Sequence, residues 1–86
     1  MDNRNTPHEL DEMFPQDKAA IHALKLSNAH FARLADEYHQ VNRTVHRMET
    51  NLEPAADETI ENERKKRLRL LDQIAGMLGA NRKKTA

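Results

Sequence analysis

Residues 31–52 read FARLADEYHQVNRTVHRMETNL, and their apolar side chains recur at alternating intervals of three and four residues. The mean interval is the heptad period of helices that pack as a left-handed coiled coil. The pattern is unbroken over three heptads, so it predicts a long helix with one apolar seam. The seam consists of Phe31, Leu34, Tyr38, Val41, Val45, Met48 and Leu52.

A second helical pattern covers residues 57–78, where acidic side chains in the first turn favour a helix N-terminus. Its apolar stripe is wider than a simple seam, which predicts contact with more than one partner helix. We expect this helix to end at Gly79 and a basic, disordered tail to occupy residues 79–86. From the stripe, the predicted helix-packing face comprises Ile60, Leu68, Leu71, Ile74 and Leu78.

Pro54 separates the two patterns, because proline disfavours helical backbone in the residue before it. Residues 53–56 then form a short loop between two helices of nearly equal length. A short connection places such helices antiparallel. We therefore predict an all-α fold in which residues 15–78 form an antiparallel α-helical hairpin with coiled-coil packing, preceded by a short helical segment.

Folding the chain back about this loop brings large apolar residues of the two helices face to face. The same register places Arg64 and Arg67 beside the seam, where their aliphatic stems cover the apolar surface. We expect their charged ends to reach Asn42, Glu49 or solvent. The expected apolar pairs are Leu78 with Phe31, Ile74 with Ala35, Leu71 with Tyr38 and Ile60 with Met48.

The chain before the seam carries weaker signals. Residues 1–14 are polar, and we expect them to be loose apart from one short helix. That helix would start at residues 6–9 (TPHE), a capping box with proline at the first helical position, and end before Pro15.

The first long helix is predicted over residues 15–52, with Pro15 in its first turn. The seam is interrupted at Ser27 and Asn28, two residue types that cap helices. Two alternatives therefore stay open: a continuous helix, or one broken near Asn28.

An isolated two-helix hairpin buries little surface, and chains of this size often need oligomerisation to be stable. Ile21 and Leu24 would overhang the hairpin and stay exposed. We therefore expect a homo-oligomer, with a dimer favoured, that acts as a structural or protein–protein interaction module. Another helical protein is a second candidate partner. The mixed side chains of the seam do not distinguish a dimer from a higher oligomer.

Composition excludes several classes of protein. The 86 residues include no cysteine, which rules out disulfides, thiolate zinc sites and a cysteine nucleophile. No apolar run approaches the roughly 18–20 residues of a membrane span, and the N-terminus lacks the pattern of a signal peptide. We therefore expect a cytoplasmic protein without membrane association.

Residues that could carry chemistry do not form a recognisable site. The five histidines are spaced too far apart for a helical metal site, and we expect them to be solvated or to flank the seam. The carboxylates at the start of the second helix are explained by charge compensation of the helix dipole. We assign no catalytic, metal-binding or cofactor-binding residue, and we expect the protein not to be an enzyme.

A basic run gives an alternative function. Side chains of this kind can neutralise nucleic-acid phosphates, so a small nucleic-acid-associated regulator is the second hypothesis, with residues 82–84 in the basic tail contributing. Consecutive helical residues point in different directions, however, which favours a solvated, salt-bridged surface. The candidate polyanion-binding residues are Arg64, Lys65, Lys66, Arg67 and Arg69.

Residues 28–34 (NAHFARL) and 37–49 (EYHQVNRTVHRME), together with the Glu53-Pro54 loop and residues 65–74 (KKRLRLLDQI), resemble the YdcH family. This is a group of short bacterial proteins with a domain of unknown function. The resemblance covers roughly residues 8–78, with Gly76 as a departure from the usual helix-forming residues of the last helix. It implies an α-helical hairpin in the bacterial cytoplasm, and it implies no activity.

Overall fold

The structure is a computed structural model that describes residues 8–50 and 54–85, with side chains described as far as Lys83. Within these ranges the chain is helical and contains no strand, which confirms the all-α fold. The elements in chain order are α1 (Leu10–Met13), a 3-10 turn (Pro15–Asp17), α2 (Lys18–Ser27), α3 (Ala29–Glu49) and α4 (Asp57–Thr85).

Helices α3 and α4 pack as the antiparallel arms of a hairpin, as the sequence predicts. Two polar contacts fix their register. The guanidinium of Arg67 donates to Oδ1 of Asn42 at 3.0 Å, and Nε of Arg64 donates to Oε2 of Glu49 at 2.8 Å. Both arginines therefore reach the partners expected for them, and their stems lie along the helix interface.

The chain changes direction at Asn28, so the broken alternative is the one that forms. Asn28 has extended backbone, and its Oδ1 accepts a hydrogen bond from the backbone N–H of Phe31 at 3.1 Å. This side chain satisfies one of the amides that a helix start leaves without a partner. The change of direction returns α2 to the hairpin. Ile21 is buried and Leu24 is partly buried, so the predicted exposure of these two residues is wrong.

Within the described part of the N-terminal segment, residues 8–14 include a short helix that packs on the hairpin. Helix α1 starts at Leu10, with Glu9 and Glu12 forming a reciprocal capping box, rather than at residues 6–9. Thr6 and Pro7 lie outside the described residues. Leu10 is almost fully buried, because α1 docks on the hairpin. The helix does end before Pro15, as expected.

The main core lies where α1 and α2 meet the hairpin. Partly buried side chains of Phe14, Leu24 and Leu71 pack around it. Val45 and Met48 are buried farther along α3, towards the loop. The central cluster comprises Leu10, Ile21, Phe31, Leu34, Ala35, Tyr38, Leu70, Ile74 and Leu78.

The buried face of α3 is broader than the predicted seam. Asn42 and Ala35 are fully buried, whereas the seam residue Val41 is only half-buried. The cause is that α3 contacts α4 on one flank and the N-terminal segment on the other. Ile60 of the predicted face is half-buried, and Leu52 lies outside the described residues.

Helix α4 continues to Thr85, which corrects the predicted end at Gly79 and the predicted disordered tail. None of the described glycines has a positive φ, so Gly79 is not a left-handed helix terminator. The extra turns are held by tertiary contact. The guanidinium of Arg82 lies 2.6 Å from Oδ2 of Asp17, whose side chain is buried at the start of α2.

Across residues 8–50 and 54–85, none of the helices combines the length and the apolar character that crossing a bilayer requires.

We expect Gly79→Ala to stabilise the protein by about 0.5–1 kcal/mol, because alanine is the better residue inside a helix. An added Cβ at position 79 would meet only the flexible end of Arg82, at 3.9 Å. Urea unfolding followed by circular dichroism measures the change. Gly76→Ala is the matched control, since nothing lies within 4 Å of its Cβ position. Stabilisation by Gly76→Ala together with destabilisation by Gly79→Ala would show that α4 ends at Gly79.

Candidate interaction site

An open groove of about 350 Å³ runs between the N-terminal segment and the hairpin. Two of its apolar side chains are solvent-exposed: Met13 by 39% and Leu68 by 59%. Among the described residues, the other exposed large apolar side chain is Leu26, on α2. The groove is lined by His8, Met13, Tyr38, Arg64, Arg67, Leu68 and Leu71.

The exposure of Leu68 follows from helix geometry. The core side of α4 is occupied by Leu70 and Ile74, which are four residues apart and share a face. Leu68 lies two residues before Leu70, and residues at that spacing point in different directions. Leu68 was predicted on the helix-packing face, but the structure leaves it outside the core of the hairpin.

Tyr38 forms the floor of the groove and links the N-terminal segment to α3. Its ring is buried, and its hydroxyl donates to the backbone carbonyl of His8 at 2.5 Å. His8 has a φ of 63°, a left-handed value that is uncommon for residues other than glycine. Burial raises the pKa of the Tyr38 hydroxyl, and the carboxylates of Glu9 and Glu12 reinforce this rise against the opposing charge of Arg67.

A polar network continues from Tyr38 along the same flank of α3, centred on the fully buried amide of Asn42. Its Nδ2 donates to Oε2 of Glu9 at 2.9 Å, and its Oδ1 accepts the bond from Arg67. The other carboxylate oxygen of Glu9 lies 2.7 Å from Nδ1 of His39, an ion pair when the imidazole is protonated. His39 was expected to be solvated or to flank the seam, and it is instead partly covered by the N-terminal segment.

Sequence reasoning treated Asn42 only as a partner for arginine and gave Glu9 only a capping role. The sequence did contain a signal that Asn42 is buried: it lies four residues after Tyr38 and therefore on the same side of α3. A buried amide needs partners for both of its ends. Glu9 could not be identified from spacing, because it approaches from a separate segment.

The basic run is divided among several faces of α4. Three of its five cations contact acidic or amide groups of the same chain, while Lys65 and Arg69 are exposed. Exposed ion pairs of this kind contribute little stability individually. The contacts join Arg64 to Glu49 and Glu61, Lys66 to Glu63, and Arg67 to Asn42.

The site offers apolar walls and guanidinium groups side by side. It can therefore accept an apolar side chain and place a carboxylate near Arg64. Among the described residues there is no cluster of three histidine or acidic side chains arranged to hold a metal ion.

We predict that Tyr38 ionises at higher pH in the native protein than in the protein unfolded in urea, where its pKa returns to about 10. The raised pKa in the fold means that its contribution to stability is complete below pH ~10 and is lost as the pH rises through the folded-state value. Tyr38 is the only tyrosine and the chain has no tryptophan, so tyrosinate absorbance reports this residue alone.

The matching stability measurement compares the wild type with Tyr38→Phe in urea unfolding between about pH 9 and pH 11. The phenylalanine variant should lose less stability over this range. Coincident titration curves for native and unfolded protein would contradict the buried placement of the hydroxyl.

Comparison with known proteins connects the hairpin to a family. The family model described as "Protein of unknown function (DUF465)" matches residues 31–78, which include α3 from its third residue onward and most of α4. Neither the search of curated proteins nor the search of solved structures found a match. Because the family model covers more than half of the 86 residues, the chain belongs to the DUF465 family.

Proposed function

We propose that this protein is a non-enzymatic helical module that acts by protein–protein interaction, and that it associates first with a second copy of itself. The observation that carries the proposal is the pair of exposed apolar side chains, Met13 and Leu68, on one groove. Single exposed apolar residues are ordinary on a protein surface, whereas a shared apolar patch commonly indicates an interface.

The surface proposed here differs from the seam that the sequence suggested for association. Phe31, Ile74 and Leu78 are buried within one chain, so they are not accessible to a partner in the folded monomer. Among the described residues, the groove brings two exposed large apolar side chains together, whereas Leu26 lies apart on α2. Fully burying a leucine side chain contributes about 1.5–3 kcal/mol, and a symmetric dimer gains this contribution from both copies.

Small size also favours association. A chain of 86 residues buries a modest fraction of its surface when it folds, so a second copy adds a useful share of apolar contact. Covering the groove would also exclude water from the half-buried Arg67, which lines it. An interface of this kind joins an apolar centre to a polar rim, the usual arrangement for proteins that bind each other.

The resemblance of the sequence to the YdcH family also bears on the cellular location of the protein. On that basis we propose that the protein acts in the bacterial cytoplasm.

Nucleic-acid binding is the weaker alternative. Lys65, Arg69 and Lys83 are exposed and offer phosphate contacts, but Arg64, Lys66 and Arg67 contact groups of the same chain. The charge-reversed variant Lys65→Glu/Arg69→Glu tests this hypothesis by gel shift at low salt. Retardation of wild-type protein that this variant loses would favour the alternative, and no retardation of the wild type would remove it.

We expect Leu68→Glu to weaken self-association strongly, because it places a charge where the partner needs an apolar contact. Light scattering coupled to size exclusion, over a concentration series, gives the mass of each variant. Leu26→Glu is the matched control: it makes the same change at an exposed leucine on α2, outside the groove, and should associate like the wild type.

Circular dichroism confirms that both variants stay folded. A folded wild type that is monomeric at every concentration would overturn the proposal of self-association. Equal dissociation by Leu26→Glu would show that the groove has no special role.

A further inference from the structure

Opposite charges stand on either side of Leu68 along α4. Arg64 is four residues before it and Asp72 is four residues after it, so both lie on the flank of the helix that carries Leu68. Each is about 6 Å from Leu68 along the helix axis. Asp72 is exposed, and the side chain of Arg64 is 46% exposed.

This order of charges is self-complementary under two-fold symmetry. When two copies of α4 cross antiparallel with the axis at Leu68, the two leucines meet and Arg64 of each copy faces Asp72 of the other. A closed dimer needs such an isologous surface, in which one patch supplies both sides of the contact. Resting on the proposed self-association, we propose that the protein dimerises through antiparallel α4 helices centred on Leu68.

Other registers and orientations of two α4 helices do not pair Arg64 with Asp72. Moving the axis one turn towards the start of α4 sets Arg64 against Arg64 of the second copy, and moving it one turn the other way sets Asp72 against Asp72. A parallel pair in register opposes like charges at both positions. Like charges facing each other are unfavourable, so of these arrangements the Arg64–Asp72 pair favours the antiparallel register at Leu68.

The groove gives each leucine a place to pack. Leu68 of one copy packs against Leu68 of the other at the groove, which Met13 and Leu71 also line. Arg64 is held in place by Glu49, with Nη2 at 2.6 Å from Oε2. Glu61 lies 3.7 Å from Nη1, beyond hydrogen-bond distance. A guanidinium has five N–H donors, so the N–H groups that Glu49 does not take can bind Asp72 of the second copy. Lys65 is exposed next to it and adds positive charge on the same side.

Reversing the charges at positions 64 and 72 tests this register. Asp72→Arg alone would set two arginines against each other twice, and Arg64→Glu alone would set two carboxylates against each other twice. We expect each variant to self-associate more weakly than the wild type, by about tenfold in Kd at low salt. In an equimolar mixture, both contacts become attractive again, so the two variants should form a heterodimer. Native mass spectrometry resolves it from the homodimers by mass.

Asp72→Arg is the primary variant, because Arg64→Glu also removes the contact with Glu49 inside the hairpin. Circular dichroism checks the fold of each variant before mixing. Asp36→Arg makes the same charge change at an exposed position of α3, away from the groove, and should leave self-association unchanged.

The result that supports the register is weak self-association of each variant and recovery in the mixture. If Asp72→Arg associates like the wild type, or if the mixture fails to form a heterodimer, the antiparallel register is wrong. The Leu68→Glu measurement separates this outcome from failure of the proposed function, since loss of association there still identifies the groove as the interface. A monomeric wild type overturns both proposals.

Discussion

The buried amide of Asn42 is the constraint on which the arrangement of the helices depends. Its two ends bind Glu9 of the N-terminal segment and Arg67 of α4, so three parts of the chain meet at one residue. A buried polar group that lacks a partner costs about 1–3 kcal/mol. A sliding hairpin or a detached N-terminal segment would incur that cost, so Asn42 fixes both the register of α4 and the position of α1.

The groove is a consequence of the same arrangement. Hydrogen bonds hold the carbonyl of His8 against Tyr38 and the carboxylate of Glu9 against Asn42. Helix α1 is only four residues long, and the chain then turns at Pro15 into α2. The N-terminal segment therefore covers one flank of α3 but leaves Leu68 uncovered on α4. The network that completes the monomer also leaves an apolar opening beside two arginines.

The local sequence pattern was enough to predict the hairpin, but not how α2 and the N-terminal segment pack on it. The heptads and Pro54 predicted antiparallel helices, and the resulting register correctly placed Arg64 and Arg67 near Glu49 and Asn42. The errors concern tertiary contacts between distant segments. Ile21 is buried because the chain turns at Asn28, and α4 passes Gly79 because Arg82 finds Asp17. Leu68 was misplaced because the whole width of the stripe on α4 was assigned to helix packing, whereas Leu68 lies on a part of it that no other helix covers. The groove could not be predicted, because it depends on the position of the N-terminal segment. The sequence of that segment has no periodic apolar pattern.

The contact between Asp17 and Arg82 bears on the order in which the helices of one chain come together during folding. Contacts in the hairpin join residues close to a short connection, whereas this pair closes a separation of 65 residues. Loop closure is entropically more costly for longer separations, and contacts close in sequence form sooner. We therefore expect the hairpin to form first and α2 to join the last turns of α4 afterwards. By the same argument, backbone amides of α2 should exchange with solvent before those in the middle of α3.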